Sequence, residues 1–143
     1  DYGCGKGRVD CYLSYQTRCH SIGVEYDPRI YETAAENQKT AVSGGRTEFV
    51  LADAGEFPVP EAVNRAYFFN PFSVELLQKV IRRILDSWYE VSREIRLFFY
   101  YPSDEYLAYL MTVDELVFAD EIDCRELFDG NDARERIVEF VLE

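Results

Sequence analysis

The 143-residue sequence holds one histidine, one methionine and one tryptophan, so several familiar chemistries lack their parts. With His20 as the only imidazole, no Ser, His and Asp set can be assembled, which excludes triad hydrolysis. His20 opens an expected strand that Glu25 closes, roughly 16 Å away at about 3.3 Å per residue, and so lies at the wrong edge for a site beyond the strand's carboxyl end. The four cysteines, Cys4, Cys11, Cys19 and Cys124, form no CxxC pair. They are read as reduced thiols, and no metal ligand set is found around them. No apolar run approaches the roughly 18–20 residues of a membrane span. The opening, Asp1 to Arg8, has the pattern of neither a signal peptide nor a transit peptide. A cytoplasmic protein with no membrane partner is expected.

What is present fits one globular domain spanning residues 1–143. The chain is 48% apolar and 15% aromatic, enough for a sizeable core. It has 27 acids and 15 bases, a net charge of -12, unevenly placed. Residues 1–103 carry 14 acids and 12 bases, whereas residues 104–143 carry 13 acids and 3 bases. A phosphate backbone would be repelled by that last stretch, so a small molecule or a protein is favoured over nucleic acid as partner.

Hydrophobic periodicity alternates between helix and strand. Val9, Tyr12 and Leu13 mark a helical stripe ending at Arg18, and residues 20–25 read as a short buried strand. Asp27 is placed to cap a second helix with Pro28 at its first position, continuing through Ile30, Tyr31, Ala34, Ala35 and Gln38 until Gly44 and Gly45. Strands are expected at 47–52 and 65–69. Ser73 suits the N-cap of a long helix whose stripe is Leu77, Val80, Ile81, Ile84, Leu85 and Trp88. A strand at 95–101 and a short helix around 104–111 follow. The aromatic run Phe98 to Tyr101 is read as core, with Tyr100 or Tyr101 able to reach a site mouth. Two apolar stretches, 116–128 and 136–142, flank Asp129, Gly130, Asn131 and Asp132, a hairpin signature. Apolar residues on both faces of 136–142 suit an interior strand.

This order specifies an α/β fold, a mostly parallel sheet with helices on both faces and a C-terminal antiparallel hairpin. Such a fold begins with an apolar strand ending at a glycine-rich turn, and here the turn comes first. A first strand upstream of Asp1 is therefore expected.

That turn, Asp1-Tyr2-Gly3-Cys4-Gly5-Lys6-Gly7-Arg8, carries the most chemistry. Glycines at alternate positions let backbone turn tightly and approach a ligand closely. A P-loop fails because Gly7 follows Lys6 where Ser or Thr is needed, and a dinucleotide GxGxxG fails because Arg8 stands at its last glycine. What remains is an acid followed by GxGxG, with Glu25 closing the next strand, where a carboxylate can accept both ribose hydroxyls of a nucleoside.

This pattern resembles the class I S-adenosylmethionine (SAM) dependent methyltransferases, of Rossmann-like fold, over nearly the whole chain. The resemblance implies SAM as cofactor, with Asp1, Gly3, Gly5, Gly7, Glu25 and Tyr26 contacting it and Asp53 with Ala54 meeting the adenine. Asn70-Pro71-Phe72 ends a strand where many members carry the catalytic motif and resembles the NPPY type that acts on nitrogen, one proline short. The Asn side-chain oxygen and the Asn70 carbonyl would accept from an N–H donor and aim its lone pair, while an aromatic ring packs on the acceptor. Two rivals are kept: a SAM-binding or protein-interaction module without transfer, and a nicotinamide-dependent oxidoreductase, which Arg8 disfavours.

Overall fold

A computed structural model describes residues 1–143. The chain divides into two compact units, Asp1–Phe57 and Pro58–Glu143.

In the first unit, α1 (Arg8–Thr17), β1 (Ser21–Glu25), α2 (Pro28–Thr40) and β2 (Thr47–Leu51) follow one another, with a short 3-10 turn at Gly44–Arg46. β1 and β2 are parallel, Ser21 opposite Thr47 and Glu25 opposite Leu51. Tyr2 bridges Val24 in parallel on the edge of β1 away from β2, because Val24 N donates to Asp1 O and Val24 O accepts from Gly3 N (both 2.9 Å). Asp27 caps α2 by accepting from Arg29 N (2.8 Å), with Pro28 in the first turn, where its missing N–H costs nothing. Phe49, Cys4 and Ala34 form the buried centre, with Cys11 and Tyr31 packed against it.

The expected stripe of α1 is on the wrong face. Tyr12 and Leu13 are exposed, and the buried residues are Asp10 and Ser14. Hydroxyls seat this helix: Ser14 Oγ shares a hydrogen bond with Ser21 Oγ (2.7 Å), Ser43 Oγ donates to Cys11 O (2.6 Å), and Arg46 donates to Ser14 O (2.9 Å). Apolar periodicity does not register polar contacts of this kind.

In the second unit, β3 (Arg65–Phe68), α3 (Val74–Glu90), β4 (Ile95–Tyr100), α4 (Asp104–Leu110), β5 (Val117–Asp123) and β6 (Arg136–Leu142) build a four-stranded sheet in the order β3-β4-β6-β5. β3 and β4 are parallel, and β6 runs antiparallel to both β4 and β5. The hairpin is thus observed, with β6 interior as its two apolar faces require. Ser73 caps α3 by accepting from Leu76 N (3.3 Å), and Leu77, Val80, Ile81 and Ile84 are its buried stripe. Phe68 stacks on Phe99 (4.6 Å) in the core, and Phe140 and Tyr106 meet Phe99 edge-on. The edge strand β5 is exposed at every residue and carries a bulge near Ala119, which blunts an open edge. The fold is therefore α/β with parallel pairs, helices and a C-terminal antiparallel hairpin. No helix is long and apolar enough to cross a membrane.

Candidate functional site

The glycine turn runs from the Tyr2 bridge into α1. Gly3, Gly5 and Gly7 have φ of 69°, 58° and 79°, left-handed values that a side chain disfavours. Alternating left-handed glycines coil the backbone so that Gly3 N and Cys4 N both reach Val24 O (2.9 and 3.0 Å). Gly7 caps α1 and presses on Phe49, whose ring a Cβ at that position would overlap. At Gly5 a Cβ would meet nothing within 4 Å, so the turn's outer surface is open.

Glu25 ties this turn to the end of β1. Its Oε2 accepts from Gly5 N (2.9 Å) and its Oε1 from Asp27 N (3.2 Å). A carboxylate has about four lone-pair sites, so each oxygen keeps one for a further donor. Beyond β1 and β2 lies an open depression of about 370 Å³ lined by Tyr26, Pro28, Leu51, Ala52 and Asp53. Tyr26 is 75% exposed there. Asp53 fixes the following turn by accepting from Gly55 N (2.8 Å), and Ala54 is buried beneath it. Asp1, Gly3, Gly5, Gly7, Glu25, Tyr26, Asp53 and Ala54 thus all fall in the first unit: Glu25 and Tyr26 at the end of β1, Asp53 and Ala54 just past β2, and Asp1 beside the middle of β1, where its N donates to Ile22 O (2.8 Å) and its O accepts from Val24 N (2.9 Å).

Asn70, Pro71 and Phe72 belong to the second unit, between β3 and the Ser73 cap of α3. Asn70 has φ 42°, a left-handed conformation that Asn adopts more readily than most residues. The turn is clamped from α4: the buried Tyr106 hydroxyl accepts from Phe72 N (3.2 Å) and donates to Phe72 O. The Phe72 ring meets Phe68 edge-on at 6.4 Å. Ser103 in turn caps α4 by accepting from Tyr106 N (3.2 Å), so the clamp rests on a fixed helix start.

Tyr106 escaped the sequence reading. Its position in a short helical stripe looks like ordinary core, and only its Oη partners reveal the clamp. Asp10 also escaped it. Burial pushes its carboxyl up to about 6, and neither oxygen has a hydrogen-bond partner. Burial likewise pushes the Cys4 thiol up to about 12, which leaves it protonated. His20 is exposed at the amino end of β1, away from the depression. No three or more His, Cys, Asp and Glu side chains are grouped so as to hold a metal ion.

The methyltransferase domain family model matches residues 1–94, and the chain belongs to that family. Similar solved structures include a TehB-like SAM-dependent methyltransferase from Corynebacterium glutamicum, 16% identical with a TM-score of 0.67 over 100% of this chain and 78% of that one. An rRNA methylase from Streptococcus thermophilus is 16% identical, with a TM-score of 0.65 over 99% of this chain and 83% of that one. A SAM-dependent methyltransferase from Thiobacillus denitrificans, in complex with S-adenosylhomocysteine, is 14% identical, with a TM-score of 0.63 over 99% of this chain and 82% of that one. At these identities the likeness is one of fold, the class I SAM-dependent methyltransferase fold. No curated protein sequence matches significantly. The family assignment makes the chain a SAM-dependent methyltransferase.

Proposed function

We propose that this SAM-dependent methyltransferase transfers its methyl group to a nitrogen presented at Asn70-Pro71-Phe72. The observation that carries the cofactor half is the left-handed glycine turn tied to Glu25. Its open outer surface at Gly5 is the space a bound methionine moiety needs, and Glu25 keeps a lone pair on each oxygen for the ribose hydroxyls. Asp1 would lie near the ammonium, with Tyr26, Asp53 and Ala54 around the adenine at the 370 Å³ depression.

SAM, when bound, supplies a sulfonium methyl whose departing thioether is already a good leaving group. The chain's own task is then to orient a lone pair and exclude water. Asn70 suits the first task because its side-chain oxygen and backbone carbonyl are both acceptors for the N–H of a neutral nitrogen. The Tyr106 clamp on Phe72 keeps that turn in one conformation. Transfer would leave the S–CH3 electron pair on sulfur, and the proton held by Asn70 on the accepting nitrogen would leave to water. The acidity of residues 104–143 supports a small molecule or a protein as acceptor over a polyanion.

Calorimetric titration of the chain with SAM tests the cofactor half, with a saturable one-site isotherm expected. Absence of binding would overturn it. For the nitrogen half, mass analysis of the methylated product should show an N-methyl group, and an O-methyl or C-methyl product would overturn it.

A further inference from the structure

β5 is the outer strand of the four-stranded sheet and is exposed at every residue. The bulge near Ala119 disturbs its first half, whereas Asp120 to Asp123 run in unbroken register against Glu139 to Arg136. Cys124 N donates to Glu135 O (2.8 Å), and Arg136 O is turned to the opposite side, where it accepts from Tyr101 N (3.0 Å). Backbone groups alternate in direction along an antiparallel pair, so the N–H and C=O of Asp123 and the C=O of Glu121 point away from β6. The remaining outward donor, Glu121 N, is held by the Asp120 side chain (2.8 Å). Unpaired backbone of this kind is a template for a further strand.

The side chains of this edge are sorted by face. Val117 and Ile122 lie opposite Val141 and Ile137 on one face, and Glu121 and Asp123 lie opposite Val138 and Arg136 on the other. Ile122 is 53% exposed. Residues 117–129 carry five acids and one base, Arg125. Arg125 pairs with Asp123 (2.6 Å) and Arg136 with Glu121 (3.2 Å), which leaves Asp120, Glu126 and Asp129 without a cation. A second copy would bring the same acids to this edge, and a nucleic acid its phosphates, so both are repelled. Charge and bulge thus guard the edge against its own kind without covering it, and the same charge attracts a basic strand.

We propose that the β5 edge docks an extended cationic segment of a partner protein, one that alternates basic and apolar residues and adds to the sheet as a further strand. Successive side chains of a strand point to opposite faces, so its apolar residues cover Ile122 while its bases meet Glu121 and Asp123. Its main chain bonds to the outward groups of Asp123 and to Glu121 O. This docking needs neither the cofactor nor Asn70.

The test titrates the full chain into a capped, fluorescein-labelled peptide of alternating lysine and valine, followed by anisotropy. Saturable binding is expected. Because only one edge of an added strand faces β5, methylating the backbone amides of one residue type, lysine or valine, should cost about tenfold or more, and methylating those of the other should cost little. Glu121→Lys should weaken the peptide about tenfold, with the melting temperature nearly unchanged because the residue is exposed. No binding of the lysine-valine peptide would overturn the proposal, as would equal effects of the two methylations or equal binding of a glutamate-valine peptide. A dimer that Ile122→Lys dissolves would give the edge to a second copy and overturn it too.

Discussion

The glycine turn of the first unit and the Asn70 turn of the second solve one geometric problem by different means. Each leads into a helix, the first into α1 and the second into α3, and both need left-handed backbone. Residues 3, 5 and 7 reach it with glycine, at φ of 58–79°, and are tied down mainly through backbone: Gly3 N by Val24 O, Gly7 N by Cys4 O, and Gly5 N by the Glu25 carboxylate. Asn70 and Tyr101 reach it with side chains present, at φ of 42° and 53°, and are held by neighbours: Tyr106 on Phe72, and Asp132 and Arg134 on Tyr101. A turn built on glycine leaves room for a ligand against the backbone. A turn built on constrained side chains places those side chains where a reacting partner can use them.

The sharpest way to break the first arrangement is Gly7→Val. It forces a side chain into the Phe49 ring and into an unfavourable φ, and should cost about 3–5 kcal/mol, read as a lowered denaturant midpoint with SAM binding lost. Near-normal stability would mean that the loop relaxes and that left-handed glycine is dispensable there.

Asn70 separates side-chain chemistry from backbone conformation. Asn70→Ala should lower methyl transfer by about 10², with SAM affinity changed only a few-fold and stability down by about 1 kcal/mol because alanine tolerates φ 42° poorly. Asn70→Gly should recover the stability and not the transfer. Recovery of both would mean that Asn70 serves the turn alone.

Glu25→Ala should weaken SAM about tenfold or more in a calorimetric titration. From its place at a strand end, little cost in stability is expected. The structure adds one, about 1–3 kcal/mol, because Gly5 N and Asp27 N both lose their acceptor. An unchanged dissociation constant alongside lowered stability would confine Glu25 to holding the turn.

Two buried polar side chains, one in each unit, are served oppositely. Tyr106 uses its hydroxyl as donor and acceptor at once, so Tyr106→Phe strands Phe72 N–H and C=O and should destabilise by about 1–3 kcal/mol in chemical unfolding. Neither oxygen of Asp10 has a hydrogen-bond partner, and the nearby amino terminus only partly offsets its burial. With its folded pKa raised to about 6 and its unfolded value near 3.9, the native state holds the additional proton between those values. Its contribution is therefore most favourable below about pH 4, declines as pH rises to about 6, and is flat above. Asp10→Asn should remove that slope and raise stability at pH 7 by on the order of 1–2 kcal/mol, measured by urea unfolding across pH. A slope that persists in the variant would assign it to another group.

By itself, the sequence determined the elements and their order. Glycine at alternate positions, Asp27 before Pro28, Ser73 before the α3 stripe and two-sided apolarity in residues 136–142 are local statements, set by steric freedom, capping and burial of neighbouring residues. The glycine turn was legible from its alternating glycines, and Glu25 from the strand end that periodicity locates. The tertiary structure alone decided the rest. The polar seat of α1 reversed the face expected from Val9, Tyr12 and Leu13, because hydroxyls from Ser21 on the next strand and from Ser43, 32 residues beyond Cys11, replace an apolar contact. The Tyr106 clamp spans 34 residues and the Tyr101 constraint 31. A hydrogen bond across such a separation leaves no periodic trace in the chain, because its geometry exists only once both strand ends and the helix between them have packed.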